Sequence, residues 1–433
     1  MILIHTPKYK LMERKIALDI LLKWKKENSY LNLTINAYFQ KYDLSRQEKD
    51  FITRVVYGTV QNYLFLEYVL KQYCQGRVKS FEKMLLVMSL YQHYYMKSIP
   101  DYAIVNEAVN IAKKQKGIKT SQFVNAILKK ALSTDIDLSS LDELERLSIE
   151  TSHPLWMVKM FTKQYGFEET KKICHANNEV PYKTARMNTL KASADMFSDD
   201  SKWQKGQFAP TAFYYQGGNI AHSQEYQEGL VTIQDESSQM VASLLNPNSH
   251  DYVLDMCCAP GGKTTHLAAI MNNGGQIDAF DLYEHKVHLV DENCQRLGVT
   301  NVKCQAYDST KLSELYDNEA FDKILLDAPC SGFGVLSRKP EIKYHDSQVM
   351  DEIIQIQHVL LNQAYLLLKK DGQMVYSTCT INKKENEKQI QRFIQEHPDM
   401  VVVEEKTILP YMYHSDGFYM CLLKKEGKNE INL

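Results

Sequence analysis

The chain has 433 residues, 44% hydrophobic and 24% charged, with a formal net charge of −2. That length suits two or three domains, and the composition is that of folded globular protein, which excludes a disordered or low-complexity chain. The near-neutral total hides an asymmetry: residues 1–140 hold 22 Lys+Arg against 12 Asp+Glu, and the remainder holds 29 against 41. A basic module joined to an acidic one points the first towards a polyanion.

The opening MILIHTPKYKLMERK has no basic segment followed by a long apolar run, so no signal peptide is expected. No stretch approaches the roughly 18 uninterrupted apolar residues of a membrane span. Nine cysteines occur without a CxxC pair or a Cys/His cluster at zinc-ligand spacing. The expectation is reduced thiols in the cytoplasm and no metal.

Residues 10–132 read as helices throughout. Leu11, Ile16, Ile20, Leu21 and Trp24 recur at helical spacing, and Ser45-Arg46-Gln47-Glu48 fits a capping box. Further apolar helical stretches follow at 81–96, 102–115 and 121–132, their Phe, Tyr and Leu stripes assigned to a core. Residues 133–150 turn polar and acidic and read as a linker. From 151 to about 225 helices are expected near 154–165 and 168–177, but pattern alone assigns no fold to this stretch. From about 250 the period changes. Short strands YVLDMC, QIDAFDL, VKCQAYDS, FDKILLDAPC and GQMVYSTC alternate with helices near 262–271, 284–297 and 347–370, and DGFYMCLLKK ends the chain as a strand. This alternation predicts an α/β fold with a mostly parallel sheet.

In such folds ligands bind at the carboxyl ends of the strands. The first strand runs into Asp255-Met256 and the loop Cys257-Cys258-Ala259-Pro260-Gly261-Gly262-Lys263, where paired glycines admit close backbone approach. The second strand ends at Asp281, suited to ribose hydroxyls, and the third ends at Asp308, suited to an adenine amino group. These features fit a nicotinamide nucleotide or S-adenosylmethionine, and the absence of GxGxxG disfavours the dinucleotide.

The fourth and fifth strands end in Asp327-Ala328-Pro329-Cys330-Ser331-Gly332 and Ser377-Thr378-Cys379-Thr380. Strand-end cysteines suit nucleophilic catalysis, which needs an accessible thiolate. Carbon 5 of cytosine is too weak a nucleophile to take a methyl group directly. A thiolate adding to carbon 6 makes the ring an enamine that can attack a sulfonium methyl, while Asp327 hydrogen-bonds ring nitrogen 3 or the exocyclic amine. Either cysteine could be the nucleophile on this reasoning. Cys74, Cys174, Cys294, Cys304 and Cys421 read as structural. Exocyclic-amine methylation would call for an Asp/Asn-Pro-Pro-aromatic loop, and position 330 is cysteine.

At QDESSQM (234–240), CCAPGGKT (257–264), DAPCSGFGVLSRKPEIKY (327–344) and STCT (377–380) the chain resembles bacterial RNA 5-methylcytosine methyltransferases of the RsmB (Sun/Fmu) family. RMNTLK (186–191) looks like that family's Arg-x-Asn segment. EKDFITRVVYGTV (48–60), DYAIVNEAVNIAKK (101–114) and FVNAILKK (123–130) resemble the RNA-binding NusB fold. The resemblance implies an all-α NusB-like domain (1–140), a linker and small subdomain (141–225) and a Rossmann-like methyltransferase domain (226–428). It implies S-adenosylmethionine held by Cys257–Lys263, Asp281, Asp308 and Asp327, with Cys379 as nucleophile and Cys330 assisting product release. Cys258 stands where the family commonly has alanine. The expected partner is 16S ribosomal RNA or a small-subunit assembly intermediate, met by a monomer. Competing readings are a transfer-RNA cytosine methyltransferase, a non-catalytic RNA-binding assembly factor and a nicotinamide-dependent oxidoreductase.

Overall fold

The computed structural model describes residues 11–427 except Gln75, Asp135, Asp199 and 346–348. The leader reading of residues 1–10, the first two residues of the helix expected over 347–370, and residue 428 lie outside the described residues. The chain forms two compact units, Met1–Asn178 with Leu336–His345, and Glu179–Val335 with Asp346–Leu433.

The first unit is helical: α1 (Leu11–Glu27), α2 (Leu31–Lys41), α3 (Arg46–Gln61), α4 (Tyr63–Tyr73), α5 (Ser80–Tyr95), α6 (Asp101–Lys116), α7 (Ile118–Ala131), α8 (Glu143–Thr151), α9 (Leu155–Tyr165) and α10 (Phe167–Ala176). Ile16, Ile20, Leu21 and Trp24 of α1 are all buried, as their spacing predicts. α5 is buried along most of its length, from Met84 to Gln92. The expected capping box is present: Ser45 Oγ accepts from Glu48 N (3.3 Å), and Glu48 accepts from Ser45 N (2.8 Å). Such a cap contributes about 1 kcal/mol.

Two features differ from the sequence reading. The stretch read as linker contains all but the last residue of α8, which has its own capping box from Asp142 and Glu145. Acidic residues in a first turn favour the positive end of a helix, so the composition that suggested solvated chain here starts a helix. The second is the segment Leu336–His345, which belongs to the helical unit. Its 3-10 turn (Pro340–Tyr344) supplies polar partners that the helices lack locally. Leu31 N at the start of α2 donates to Glu341 Oε1 (3.1 Å). At the end of α3, Lys343 Nζ donates to Gln61 O (2.8 Å) and Tyr344 OH to Val60 O (3.0 Å). The Tyr344 ring meets Trp24 and Tyr63 edge-on at centroid separations of 5.5 and 5.7 Å.

The second unit holds two sheets. β1 (Thr184–Met187), β2 (Trp203–Lys205), β3 (Ala212–Tyr215) and β4 (Val231–Ile233) form an antiparallel sheet in the order β2-β3-β1-β4, with α11 (Gln224–Gln227) before its last strand. The stretch that pattern could not assign thus contains α9, α10 and most of this sheet. Its core includes Ala185, Met187, Trp203, Phe213 and Val231. After α12 (Glu236–Leu245) come β5 (Tyr252–Asp255), α13 (Gly262–Ile270), β6 (Gln276–Asp281), α14 (Glu284–Leu297), β7 (Val302–Ala306), β8 (Phe321–Asp327), α15 (Val349–Leu367), β9 (Leu368–Thr378), α16 (Glu387–Glu396), β10 (Met400–Ile408) and β11 (Phe418–Lys425).

These strands form a seven-stranded sheet in the order β10-β11-β9-β8-β5-β6-β7. Neighbours from β9 to β7 pair in parallel, and β11 is antiparallel to both β9 and β10. Alternate side chains enter opposite layers. Leu254, Leu326 and Tyr376 pack with Leu361 and Leu367 of α15 and Phe393 of α16. Val253, Leu325 and Val375 pack with Ala242 of α12, Leu267 of α13 and Val290 of α14. Burial on both faces explains why these strands are nearly continuously apolar. β5 lies between β6 and β8, so the chain winds outwards from it in both directions, and the crevice at the strand ends opens there.

Candidate active site

β5, β6 and β8 end in the aspartates Asp255, Asp281 and Asp327. The third strand is expected to end at Asp308, but β7 ends at Ala306, because Asp308 instead caps a short 3-10 turn, accepting from Thr310 N (3.0 Å) and Thr310 Oγ1 (2.7 Å). The Cys257–Lys263 loop leaves β5 and starts α13. Cys258 N donates to Phe280 O (2.8 Å) and Gly261 N to Cys258 O (2.7 Å), while Asn293 Nδ2 holds Pro260 O (2.9 Å). Gly261 has φ +99°, a conformation that favours glycine. Asp255 accepts from Thr264 Oγ1 (2.7 Å), and burial pushes its carboxyl up to about 7. Cys257 is also pushed up, by burial and by the charges of Asp255, Asp327 and Asp281, so it stays a thiol.

Beneath the loop lies Arg186, fully buried on β1. It donates to Gly262 O (2.6 Å), Gln234 Oε1 (3.0 Å) and Thr265 Oγ1 (3.0 Å). Two positions on, Asn188 Nδ2 bonds Gly229 O (2.9 Å) and Leu297 O (2.8 Å). The Arg-x-Asn segment therefore ties the small sheet to the start of α13 and the end of α14.

The register of β8 and β9 sets Asp327 beside Ser377. Asp327 Oδ1 accepts from Ser377 Oγ (2.7 Å), and Oδ2 accepts from Lys263 Nζ (2.7 Å). Burial lowers the Lys263 ammonium, but the Asp327 carboxylate outweighs it and holds the group above its ordinary value. Lys263, the last residue of the expected cofactor loop, thus reaches the fourth strand. Cys330 and Cys379, 49 positions apart, meet with sulfurs 3.1 Å from one another. Cys330 is raised well above the usual thiol range by its hydrogen bond to Cys379, by burial, and by the charges of Cys379 and Glu385. Of the cysteines read as structural, Cys174, Cys294 and Cys421 are buried and Cys74 and Cys304 half-buried.

Two polar residues of the site carry no signal of their role in the sequence. Ser377 stands in the fifth-strand motif, and only the strand register pairs it with Asp327. Glu385 lies in the polar run NKKENEK, yet it is fully buried. Among the described residues no helix is long and apolar enough to cross a membrane.

The 16S rRNA methyltransferase RsmB/F family matches residues 242–424, the NusB family residues 12–133, and the RsmF/B-like ferredoxin-like domain residues 153–217. A probable ribosomal RNA small subunit methyltransferase B of Bacillus subtilis (strain 168) is 40% identical over 446 residues, covering 96% of this chain and 99% of its own. The chain belongs to the RsmB/F methyltransferase family. A probable methyltransferase B of Synechocystis is 33% identical over 95% of this chain and 99% of its own. Among solved structures, a methyltransferase homologue from Pyrococcus horikoshii is 27% identical with a TM-score of 0.60, covering 66% of this chain and 99% of its own. At the level of fold alone, another solved chain at 24% identity reaches a TM-score of 0.81 over 96% of this chain. The expected class, a NusB-like helical region followed by a Rossmann-like α/β domain, is the one found.

RsmB/F enzymes are methyltransferases dependent on S-adenosylmethionine, and the donor set fits that cofactor. Tyr283 N (3.2 Å) and Lys286 Nζ (3.6 Å) both approach Asp281 at Oδ1, which leaves Oδ2 for a ribose hydroxyl. Leu282 and Tyr283 follow it, 56% and 50% exposed, an apolar pair that a purine ring could cover.

Proposed function

We propose that the protein methylates carbon 5 of a specific cytosine in 16S ribosomal RNA through a covalent cysteine–cytosine adduct. The observation that supports this most is the pair of sulfurs at 3.1 Å beside an aspartate held by a lysine and a serine. Cys379 adds to carbon 6 of the ring. Asp327 accepts from the exocyclic amine or nitrogen 3, its orientation set by Ser377 and its charge balanced by Lys263. When bound, S-adenosylmethionine supplies the electrophilic methyl that carbon 5 takes. The carbon 5 proton then leaves to a base, the carbon–sulfur bond breaks by elimination, and Cys330 assists that release. Cys257–Lys263, Asp281, Asp308 and Asp327 hold the cofactor. The helical stretch 1–140 adds RNA affinity, 141–225 links it to the catalytic half, and 226–428 performs the chemistry. The ribosomal substrate is supported by the names of the relatives.

The two cysteines have different jobs, so their variants should differ. Cys379→Ala should abolish methyl transfer and form no adduct. Cys330→Ala should attack, methylate and release slowly, accumulating a protein–RNA species on denaturing gels that peptide mass spectrometry locates on Cys379. Nucleoside analysis of wild-type product should give 5-methylcytidine. An adduct on Cys330 in the Cys379 variant would reverse the roles. Activity in both variants without any covalent species would overturn the mechanism.

A further inference from the structure

Glu385 is buried between the two cysteine loops, in the turn that leads from β9 into α16. Its Oε2 accepts from Ser331 N (2.8 Å) and Gln357 Nε2 (3.1 Å), and its Oε1 from Ser331 Oγ (2.6 Å) and Asn382 Nδ2 (2.9 Å). Gln357 also holds Pro329 O (2.9 Å), and Ser331 Oγ lies 2.8 Å from Thr380 Oγ1. The residues on either side of Cys330, and the one after Cys379, are thereby tied into one network centred on this carboxylate. No cation pairs with Glu385 among the described residues. A buried anion without a countercharge is costly even when fully hydrogen-bonded. Two donors meet each carboxylate oxygen, so an amide, which has one acceptor oxygen and an N–H2, would leave donors facing donors, and the charge comes with the clamp.

The surroundings of the two sulfurs are electrostatically opposed. Glu385 holds both the N and the Oγ of Ser331, the residue after Cys330, and its charge disfavours a second negative charge on that sulfur, whereas Lys263 feels the charge of Cys379. Other titratable groups around the cluster include Asp327, bound to Lys263, Asp255, whose charge also acts on Lys263, and Tyr376, whose hydroxyl donates to Glu385 O (2.7 Å). We propose that Glu385 is a positioning residue that decides which thiol is the nucleophile: it fixes Cys330 as the S–H donor to Cys379 and leaves the reactive thiolate on Cys379. The step is a proton placement with no redox change. This proposal rests on the reading of Cys379 as nucleophile and gives a physical reason for it.

The test is competitive alkylation of the full-length protein with iodoacetamide at neutral pH, without RNA, read by peptide mass spectrometry. In the wild type Cys379 should be modified ahead of Cys330. Glu385→Gln should lower the Cys379:Cys330 ratio by roughly tenfold, corresponding to about one unit of differential ionisation. It should also reduce kcat while leaving cofactor affinity unchanged. If Glu385→Gln fails to fold, the single cysteine substitutions supply the test: with the Glu385 charge in place, Cys330 in Cys379→Ala should be alkylated more slowly than Cys379 in Cys330→Ala. An unchanged ratio in a folded, cofactor-binding Glu385→Gln protein would overturn the proposal, as would equal alkylation rates in the two single cysteine substitutions where the first variant is unfolded. Alkylation involves no RNA, so it separates this outcome from failure of the underlying reading, which shows instead as methyl transfer surviving in Cys379→Ala.

Discussion

Asp281 closes β6 and is only 9% exposed, and its neighbours use one oxygen. A charged acceptor of ribose hydroxyls contributes roughly 1.5–3 kcal/mol. Asp281→Ala should therefore weaken S-adenosylmethionine binding by roughly ten- to a hundredfold, since about 1.4 kcal/mol is a factor of ten. Loss of the carboxylate also removes the partner of Lys286, whose half-exposed ammonium stands 3.6 Å from it. Calorimetry giving the wild-type affinity in a folded variant would remove Asp281 from the site. The same residue scale explains why four cysteines near the crevice do not compete equally. Cys257 and Cys258 are pushed up by burial and by the surrounding aspartates, which keeps both protonated. Of these four, Cys330 and Cys379 are sulfur partners of one another, and the Lys263 ammonium feels the charge of Cys379.

At the scale of elements, the turn 340–344 acts as a cap delivered from far along the chain. Glu341 meets α2, and Lys343 and Tyr344 meet the end of α3. Lys343 is fully buried, and burial lowers its ammonium from 10.5 to about 7, only partly opposed by Cys174. Between those values the unfolded chain binds a proton that the folded chain does not. Stability from this group is therefore fully present above about 10.5 and is lost as pH falls to about 7. Lys343→Met removes the titration. The unfolding free energy of the wild type, minus that of the variant, should rise from about pH 7 to about pH 9 by at most roughly 1.4 kcal/mol per unit. A difference that stays flat across this range would mean that Lys343 keeps an ordinary value in its seat.

At the scale of the molecule, the charge asymmetry has a structural location. Lys113, Lys114 and Lys116 end α6, Lys129 and Lys130 end α7, and all five are exposed. Lysines at helix C-termini also oppose the negative end of the helix dipole, worth a few tenths of a kcal/mol each. If they also neutralise phosphates, replacing all five with glutamine should weaken binding to a 16S rRNA transcript. The plot of log affinity against log salt should flatten by up to about 0.9 for each phosphate left without its lysine. Cofactor binding should be unaffected. An unchanged slope would show that these lysines do not meet the RNA.

Local pattern by itself determined much of this protein. Short apolar runs alternating with helical stretches marked the strands, and the glycine pair and both cysteine motifs fell at their ends. A strand end is a local property, so the candidate site was legible as a set of positions. The same local pattern misread α8, because acidic residues signal both a solvated linker and a helix start. It left much of residues 151–225 unassigned, because strands of three or four residues carry too few alternations to declare themselves. What the tertiary structure alone decided depends on distant register and burial. Ser377 gains its role from lying opposite Asp327, and Glu385 gains its own from burial that a polar run does not announce. Leu31 finds its acceptor 310 positions away in Glu341. Sequence reports neighbours within a turn or two, whereas a helix cap or a charge beside a thiol is fixed by whichever residue the folded chain brings there.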